Sequence, residues 1–425
     1  MSSITVTTAT DTAAKLLDTA REVFPGGLLG SYGMPANVET VISHGEGARI
    51  VDVDGKSYLD YILGSGPMIV GHCHPQVVEA IEKQARRGTQ YYTLSEEAIR
   101  LGERLVETVP CAERVKLTSS GAEATFYAMR VARAATGRDK VLKFKSAYHG
   151  HHDYAMPGSG MATAGTPAGV DKTLVTAVYN DIDGAVAAIE ENASDLAAVI
   201  VEPIQRSTPP RQGFLEALRE ATARHGIVLI FDEMVTGFRI HRAGGQGLYG
   251  ITPDLATYGK AIGGGLALAA VAGRADLMDH LNPRRTDKSG YVYMSGTLNG
   301  NPLAAAAGLA TLDVLLAPGA FERLEAVSRR LRDGLKSALA DAGVSAHVLG
   351  EGAMAAVLFA DGDPYDPATA AASDPVLRSR LDAEMISRGI LVNLPAKFYV
   401  STAHTEQDID RTVGTFAESL AAVVN

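Results

Sequence analysis

Short apolar runs alternate with longer amphipathic stretches from about residue 75 to residue 315. Runs such as 197–201 and 227–231 contain only apolar side chains, which is typical of strands buried on both faces of a sheet. In the stretch from Ala124 to Gly137, apolar residues recur every three or four positions, as in a helix. The alternation predicts an α/β domain with a mostly parallel central sheet covered by helices.

Different patterns occur on either side of this region. A helix is predicted over residues 13–23, ending at Pro25-Gly26-Gly27, and a hairpin over residues 49–60, turning at Asp54-Gly55. After Pro318, the periodicity predicts helices and a strand in the order helix 320–342, strand 353–359, helix 376–388 and helix 406–424.

These patterns divide the chain into three parts. Residues 71–317 form the predicted large domain and residues 318–425 a smaller α+β domain. Residues 1–70 form an N-terminal segment that we expect to join the small domain.

Composition narrows the classes of partner. Hydrophobic residues make up 46% of the chain, and its net charge is −10 with acidic and basic residues interspersed, which argues against binding to nucleic acid or an anionic membrane. Two cysteines, Cys73 and Cys111, are too few for a disulfide framework. No signal-peptide pattern and no apolar run of roughly 20 residues is present. We therefore expect a soluble, cytoplasmic protein.

Candidate chemistry lies where the predicted strands end, because ligands of open α/β sheets bind outside the carboxyl ends of the strands. Strand 114–118 leads into Ser120-Gly121-Ala122 at the start of a helix, where backbone N–H groups and the helix dipole favour a phosphate. The alternative is an ordinary N-cap without a ligand. Strand 140–145 leads into Tyr148, an aromatic residue able to stack on a planar ring, and into a histidine cluster. Its histidines lack the spacing of helical metal ligands, so we expect no metal site.

Three further strand ends carry polar residues. Gln205 follows a strand closed by Glu202-Pro203 and is a candidate hydrogen-bond donor at a pocket floor; in the alternative, the strand merely stops and Glu202 is solvated. Asp232 ends the run 227–231, where a buried carboxylate needs a cation such as a protonated pyridine nitrogen, unless it caps the next helix. Lys260 has apolar and glycine neighbours, which favours an enclosed amine able to form a Schiff base over a surface lysine.

Taken together, these residues resemble the class III (subgroup II) aminotransferases, which are pyridoxal 5′-phosphate (PLP) enzymes of fold type I. The resemblance extends from Phe24 to Thr405 and is closest in pattern to glutamate-1-semialdehyde 2,1-aminomutase. The motifs that carry it are Ser120-Gly121-Ala122-Glu123-Ala124, Tyr148-His149-Gly150-His151, Phe231-Asp232-Glu233, Thr236-Gly237-Phe238-Arg239, Gly259-Lys260 and Ser295-Gly296-Thr297-Leu298-Asn299-Gly300-Asn301-Pro302.

The resemblance implies a role for each matching residue. Lys260 would hold PLP as a Schiff base and move the proton, Asp232 would pair with the pyridine nitrogen, and Tyr148 would stack on the ring. The remaining cofactor contacts would come from Ser120, Gly121, Ala122, Gln205 and Met234, with Thr297 contributed by the other subunit of a homodimer with shared active sites.

Departures from the aminomutase pattern bear on the reaction. No arginine follows Pro25-Gly26-Gly27 to bind a substrate carboxylate, and Ala396 lies near the position of a gating glutamate. We therefore expect an aminotransferase that moves an amino group from a donor amine to a ketone or aldehyde, with an aminomutase as the alternative and a non-catalytic α/β protein as a third hypothesis. Candidate substrate contacts are Tyr32, Arg206, Arg211 and Lys397.

Overall fold

The structure is a computed structural model that describes residues 11–30, 33–392 and 397–424 of the chain. The helices are α1 (Asp11–Val23), α2 (Pro75–Ala85), α3 (Glu96–Thr108), α4 (Gly121–Thr136), α5 (Ile182–Glu191), α6 (Phe214–His225), α7 (Gly244–Tyr249), α8 (Ala275–Met278), α9 (Pro302–Leu315), α10 (Ala320–Asp341), α11 (Pro367–Ala371), α12 (Pro375–Ser387) and α13 (Glu406–Val424). The strands are β1 (Ile42–Glu46), β2 (Arg49–Asp52), β3 (Ser57–Asp60), β4 (Arg114–Thr118), β5 (Lys140–Phe144), β6 (Leu174–Ala177), β7 (Leu196–Val201), β8 (Val228–Asp232), β9 (Leu255–Tyr258), β10 (Ala269–Gly273), β11 (His347–Leu349), β12 (Met354–Leu358), β13 (Ile390–Leu391) and β14 (Lys397–Tyr399).

A seven-stranded sheet in the order β4-β10-β9-β8-β7-β5-β6 organises the larger of two compact units, which comprises residues 75–321 with 365–367. Strands β5 to β9 are mutually parallel, whereas β10 is antiparallel to both of its neighbours. Because β10 reverses direction between β4 and β9, these two strands run the same way. The predicted mostly parallel sheet is confirmed, and the carboxyl ends of six strands share one edge.

The apolar runs that predicted strands are fully buried. Every residue of β7, β8, β9 and β10 is buried, as expected for strands covered on both faces. Helix α4 contributes Ala124, Ala128 and Val131 to the same core. Helix α4 is capped at its carboxyl end by Gly137, which adopts a left-handed conformation (φ 67°) that favours glycine. The loops at the carboxyl edge of the sheet therefore follow strands that are fully buried.

The other compact unit comprises the chain up to His74 with residues 322–364 and 368–425. It contains one sheet in the order β1-β2-β3-β13 and another in the order β11-β12-β14. Strands β2 and β3 form the predicted antiparallel hairpin, and helix α13 has its predicted bounds. The smaller α+β fold is confirmed, while the predicted domain boundaries at residues 70 and 317 stay predictions.

A buried histidine lies inside this unit. The centre of the His404 ring lies 4.5 Å from the centre of the Tyr61 ring. Nδ1 of His404 accepts a hydrogen bond from the backbone amide of Ser401 (3.1 Å) and lies 2.9 Å from the hydroxyl oxygen of Ser401. Burial is the main reason why the pKa of His404 is lowered to about 4. His404 is therefore neutral at physiological pH.

The helices of the three described ranges differ in length and in apolar content. None of the helices there is by itself long and apolar enough to cross a bilayer, and only the bent pair α9 and α10 meets the length and composition requirements when taken together.

Candidate active site

Helix α4 begins at the carboxyl end of β4, and its first turn presents backbone donors. The hydroxyl of Ser120 accepts a hydrogen bond from the amide of Glu123 (3.2 Å), and the carboxylate of Glu123 accepts one from the amide of Ser119 (3.1 Å). This reciprocal capping leaves the amides of Gly121 and Ala122 without an acceptor among the described residues. Ser120 is therefore an N-cap, and the two unused N–H groups beside it suit a phosphate.

Met234 brings the start of α4 close to the segment before Lys260. A Cβ atom placed on Gly121 would lie 2.7 Å from Sδ of Met234, and one placed on Gly259 would lie 2.6 Å from the same atom. Both distances are shorter than van der Waals contact, so glycine at both positions allows the thioether to lie between them. Gly121 and Met234 are therefore adjacent, and Lys260 follows Gly259 directly in the chain.

Lys260 follows β9 after a single intervening residue, Gly259. It is half-buried, has a positive φ of 46° and opens a short 3₁₀ helix over Lys260–Gly263. A positive φ is unusual for a residue with a side chain and often marks a functional position. Lys260 is thus partly shielded from solvent, and its role as the amine of a Schiff base stays a prediction.

Asp232 is held at the end of β8 by three donors of the chain. Its Oδ2 lies 2.7 Å from Nδ1 of His149, and its Oδ1 accepts hydrogen bonds from the hydroxyl of Thr257 (3.2 Å) and the amide of Met234 (3.1 Å). The side chains of Asp232 and His149 are almost completely buried. These donors replace the water that the buried carboxylate of Asp232 would otherwise bind.

Glu202 joins the two loops that carry Tyr148 and Gln205. Its Oε1 accepts a hydrogen bond from the amide of Tyr148 (3.0 Å), and its Oε2 accepts one from the amide of Arg206 (3.2 Å). The amide nitrogen of Gln205 adds a third link by donating to the carbonyl oxygen of Lys145 (2.8 Å). Glu202 is buried, so the interpretation of a solvated strand terminus is wrong: its oxygens bind backbone N–H groups instead of water.

Two further ionisable side chains, Lys143 and Glu233, are buried in the same compact unit. Lys143 on β5 is fully buried and donates to the carbonyl oxygen of Ala155. Burial lowers the pKa of Lys143 to about 8, while the nearby charge of Glu202 opposes that shift. Glu233 accepts hydrogen bonds from the amides of Gly245 and Gln246, and burial nevertheless raises the pKa of Glu233 to about 7.

The predicted substrate residues have different surroundings. The guanidinium of Arg206 lies 5.5 Å from the centre of the Tyr148 ring and donates to the carbonyl oxygen of Ser146 (3.1 Å). Arg211 lies over the ring of Tyr365, 5.8 Å from its centre. Lys397, on β14 of the other compact unit, lies 5.8 Å from the centre of the Tyr399 ring. Tyr32 lies outside the described residues.

Thr297 is exposed and lies in the loop shortly before helix α9. Its carbonyl oxygen accepts a hydrogen bond from the side chain of Gln90, and Asn299 accepts one from the hydroxyl of Ser119 (3.0 Å). The segment containing Thr297 is therefore tied to the loop that precedes α4 in the same chain.

Sequence reasoning missed the groups that support the predicted residues. His149 stood out only as one of a histidine cluster, yet it contacts Asp232. Within the ranges that the structure describes, no group of three His, Cys, Asp or Glu side chains is arranged to hold a metal ion. The signal that could have identified His149 is its position one residue after Tyr148, at the end of a strand two places from β8.

The arrangement fits PLP. Unused N–H groups at the start of α4 suit its phosphate, and the buried carboxylate of Asp232 suits a protonated ring nitrogen. The side-chain oxygen Oε1 of Gln205 is buried without a partner among the described residues, and Tyr148 presents a partly exposed aromatic ring. Lys260 supplies the amine that an aldehyde cofactor requires.

Comparison with known proteins agrees with this chemistry. The sequence profile of class-III aminotransferases matches residues 33–387. The glutamate-1-semialdehyde 2,1-aminomutase of Roseiflexus castenholzii is 42% identical over 423 residues, covering 96% of each chain. Among solved structures, an omega-transaminase from Sphaerobacter thermophilus is 34% identical with a TM-score of 0.93, covering 97% of this chain and 98% of that one. A β-phenylalanine aminotransferase from Variovorax paradoxus is 31% identical with a TM-score of 0.90, covering 97% and 94%.

The family match covers most of the chain, and the relatives match almost all of it. The predicted PLP fold type I, the cofactor and the enzymatic nature of the protein are confirmed. The chain belongs to the class III aminotransferases, the PLP-dependent family whose site residues meet at the carboxyl edge of its sheet.

Proposed function

We propose that this enzyme transfers an amino group between two separate molecules, a donor amine and a ketone or aldehyde acceptor. In the balanced reaction, the donor carbon exchanges its amine for a carbonyl oxygen, and the acceptor carbon does the reverse. The position of Gly121, Asp232, Met234 and Lys260 after strands at one edge of the sheet supports the amino-transfer chemistry, and departures of the sequence from the aminomutase pattern carry the choice of two separate substrates. PLP, when bound, supplies an aldehyde that takes up the amine and a ring that withdraws electrons from the reacting carbon.

Each residue of the proposed site would have a different role in this reaction. Lys260 supplies Nζ, which would hold the cofactor and accept the proton that leaves the donor carbon. Asp232, held by its three donors, would keep a positive charge on the ring nitrogen, and Gly121 and Ala122 would bind the phosphate through their amides. Tyr148 and Met234 would pack against the ring. Each role is a proposal for its residue.

The choice of two substrates over one rests on sequence departures. The aminomutase pattern has an arginine after Pro-Gly-Gly and a gating glutamate, and this chain has Leu28-Leu29-Gly30 and Ala396 there. An aminomutase is the second candidate because the curated relatives at about 42% identity bear that name. Both candidates use the same cofactor site, so they differ only in whether the carbonyl product leaves.

Titration of the holoenzyme with a panel of amine donors tests the proposal. With a true donor, the visible absorption band of the bound cofactor bleaches, and one equivalent of carbonyl product appears per site. Glutamate-1-semialdehyde, offered alone, should not be converted to 5-aminolevulinate. Conversion without another donor, together with no release of carbonyl product from any amine, would favour the aminomutase. Lys260→Ala should lose the covalent cofactor; unchanged spectra in that variant would remove the central assignment.

We also propose Arg206 as the cation that meets a substrate carboxylate. It adjoins Tyr148 and is anchored at Ser146, which holds its guanidinium near the proposed ring-binding site. Arg206→Met should raise KM for acidic donors at least tenfold and leave KM for neutral amines unchanged. Lys397 is the second cation that we propose as a carboxylate contact, and Lys397→Ala tests it with the same comparison of acidic and neutral donors. Equal effects on both donor classes would contradict a carboxylate contact.

We propose a homodimer in which Thr297 of one subunit completes the phosphate site of the other. Around the contact between Gln90 and Thr297, four apolar side chains are more than half exposed: Tyr92, Leu94, Tyr293 and Leu298. Their burial in a subunit interface would remove this apolar surface from water. Sedimentation should give twice the chain mass, and Leu94→Asp should shift the mass towards the monomer. A wild-type monomer would refute the proposal.

A cytoplasmic location is proposed as well, because both cysteines are unpaired and Cys73 is exposed. Cell fractionation with an antibody against the chain tests it, and recovery with a membrane or secreted fraction would contradict it.

A further inference from the structure

Three neighbouring strands of the large sheet are each followed by a loop in which one residue has a left-handed backbone. Ser146 (φ 63°), Asn180 (φ 68°) and Arg206 (φ 60°) follow β5, β6 and β7, which are adjacent in the order β7-β5-β6. A positive φ is unfavourable for a residue with a side chain, although asparagine tolerates it better than most. Such residues persist only where the surrounding contacts hold them, and they often mark functional sites.

Residues 203–211 form the loop after β7, and a tight turn within it carries Arg206. The backbone amides of Gln205 and Thr208 donate to each other's carbonyl oxygens, at 3.1 and 2.9 Å. Arg206 lies inside this turn, and its Nε donates to the carbonyl oxygen of Ser146 (3.1 Å). The turn therefore directs the guanidinium towards the loop after β5, where it lies 5.5 Å from the centre of the Tyr148 ring.

Two consecutive residues after β6 hold both ends of the 203–211 loop. The hydroxyl of Tyr179 donates to the carbonyl oxygen of Pro203 (3.0 Å). At the other end, Nδ2 of Asn180 donates to the carbonyl oxygen of Pro209 (3.1 Å), and Oδ1 of Asn180 accepts a hydrogen bond from the amide of Arg211 (2.8 Å). Both anchoring side chains are buried, so these contacts are shielded from water.

Both N–H groups of the Asn180 side chain are used. Nδ2 also donates to the carbonyl oxygen of Tyr365 (3.0 Å), and the ring centre of Tyr365 lies 5.8 Å from the guanidinium of Arg211. The three residues 365–367 belong to the larger compact unit, like the loop itself. Only asparagine offers two donors and an acceptor on a side chain of this size. A substitution of Asn180 therefore leaves buried backbone groups without their partner, which costs free energy.

We propose that Asn180 is a positioning residue that determines the selectivity for acidic donors by keeping Arg206 in its left-handed conformation. The proposal rests on the proposed function, in which Arg206 meets a substrate carboxylate. When Pro209 and Arg211 are released, the turn relaxes towards a negative φ at Arg206, and the guanidinium leaves the carbonyl oxygen of Ser146. The contact with a carboxylate is then lost, whereas a neutral donor does not use the guanidinium and binds as before.

Two variants of Asn180 separate its side-chain contacts from its backbone conformation. Asn180→Gly removes all three hydrogen bonds and favours a positive φ, while Asn180→Asp keeps the acceptor for Arg211 and loses both donors. KM is measured at saturating PLP for two donor pairs in which a methyl group replaces the carboxylate: 4-aminobutyrate with butylamine, and alanine with isopropylamine. Both variants should raise KM for the acids roughly tenfold and leave KM for the neutral amines within about twofold of wild type.

Hydrogen exchange of the holoenzyme reports on the loop itself. In Asn180→Gly, the backbone amides of Thr208 and Arg211 should exchange about tenfold faster than in wild type or more. The control is Asn192, which donates to the carbonyl oxygen of Ala188 (3.0 Å) and accepts from Lys140, where β5 begins at the opposite edge of the sheet. Asn192→Asp should match wild type in both assays.

Each outcome bears on one of the two proposals. Faster exchange without a change in selectivity would show a structural role alone and would overturn the role of Asn180, as would equal changes of KM for acidic and neutral donors. If Asn180→Gly does not fold, Asn180→Asp carries the same expectation for KM. If Arg206→Met raises KM for the acids selectively and the Asn180 variants do not, only the role of Asn180 fails. If Arg206→Met has no selective effect, or neither acid reacts, the proposed contact of Arg206 fails as well.

Discussion

Glu202 joins two loops of the site, and replacing it tests how the site is held together. Glu202→Ala removes the acceptor of two backbone amides, those of Tyr148 and Arg206, at 3.0 and 3.2 Å. A hydrogen bond to a charged group contributes about 1.5–3 kcal/mol, so the two together are worth about 3–6 kcal/mol. Glu202→Gln keeps one acceptor oxygen and should lose about half as much. Removal of the negative charge also leaves the buried Lys143 less well compensated.

Urea unfolding of the apoenzyme at pH 7 measures this loss. The chain has 15 tyrosines and no tryptophan, so circular dichroism is the suitable probe. We expect stability in the order wild type, Glu202→Gln, Glu202→Ala, with the exposed Glu191→Ala as a control that matches wild type. A Glu202→Ala variant that unfolds at the same urea concentration as Glu191→Ala would refute the reasoning. So would a Gln variant less stable than the Ala variant.

Three further predictions concern packing, pH and stacking. Gly245→Ala places a Cβ 2.4 Å from Cβ of Pro203 and should lower the free energy of unfolding by about 1–3 kcal/mol, as measured by thermal unfolding. Gly102→Ala lies in a helix with open space around it and should raise the free energy of unfolding by about 0.5–1 kcal/mol. A change of the same sign in both variants would contradict the packing argument. Because the pKa of His404 is about 4 in the folded chain against its usual 6.5, the unfolded chain binds the proton first as pH falls, and about 3 kcal/mol of stability is lost between pH 6.5 and 4. Unfolding of His404→Asn over that range should show a shallower loss, and an identical pH profile would refute this. Tyr148→Phe should retain PLP affinity while Tyr148→Ala weakens it roughly two- to tenfold, as measured by equilibrium dialysis; an equal loss in both would place the role in the hydroxyl.

The elements that the sequence predicted best are those buried on both sides. Runs such as 197–201 and 227–231 allow no other environment, so strands β7 and β8 and the position of Asp232 at a strand end followed from the pattern alone. The hairpin at Asp54-Gly55 and helix α13 were equally well marked, by turn chemistry and by amphipathic spacing.

Pairing between distant segments could not be predicted in this way. The apolar run of β10 is compatible with either strand direction, and only its neighbours make it antiparallel. Glu202 was expected in solvent as one alternative, because the amides that bind its carboxylate belong to loops that the sequence does not show to be adjacent. The contact between His149 and Asp232 spans 83 positions and leaves no local pattern.

Strand β8 ends at Asp232, the next residue is also an acid, Glu233, and the two carboxylates face different surroundings. Asp232 faces His149 and Thr257, while Glu233 holds the amides of Gly245 and Gln246 away from that pair. Asp232, which we propose to pair with the cofactor, and Glu233, which binds two backbone amides, are therefore expected to have different roles. In a mutational survey that scores cellular abundance separately from activity, substitutions at Asp232 would yield abundant but inactive enzyme, and substitutions at Glu233 would deplete the protein itself. Adjacent codons would then carry opposite phenotypes, which makes this dipeptide an internal standard for separating loss of catalysis from loss of folding.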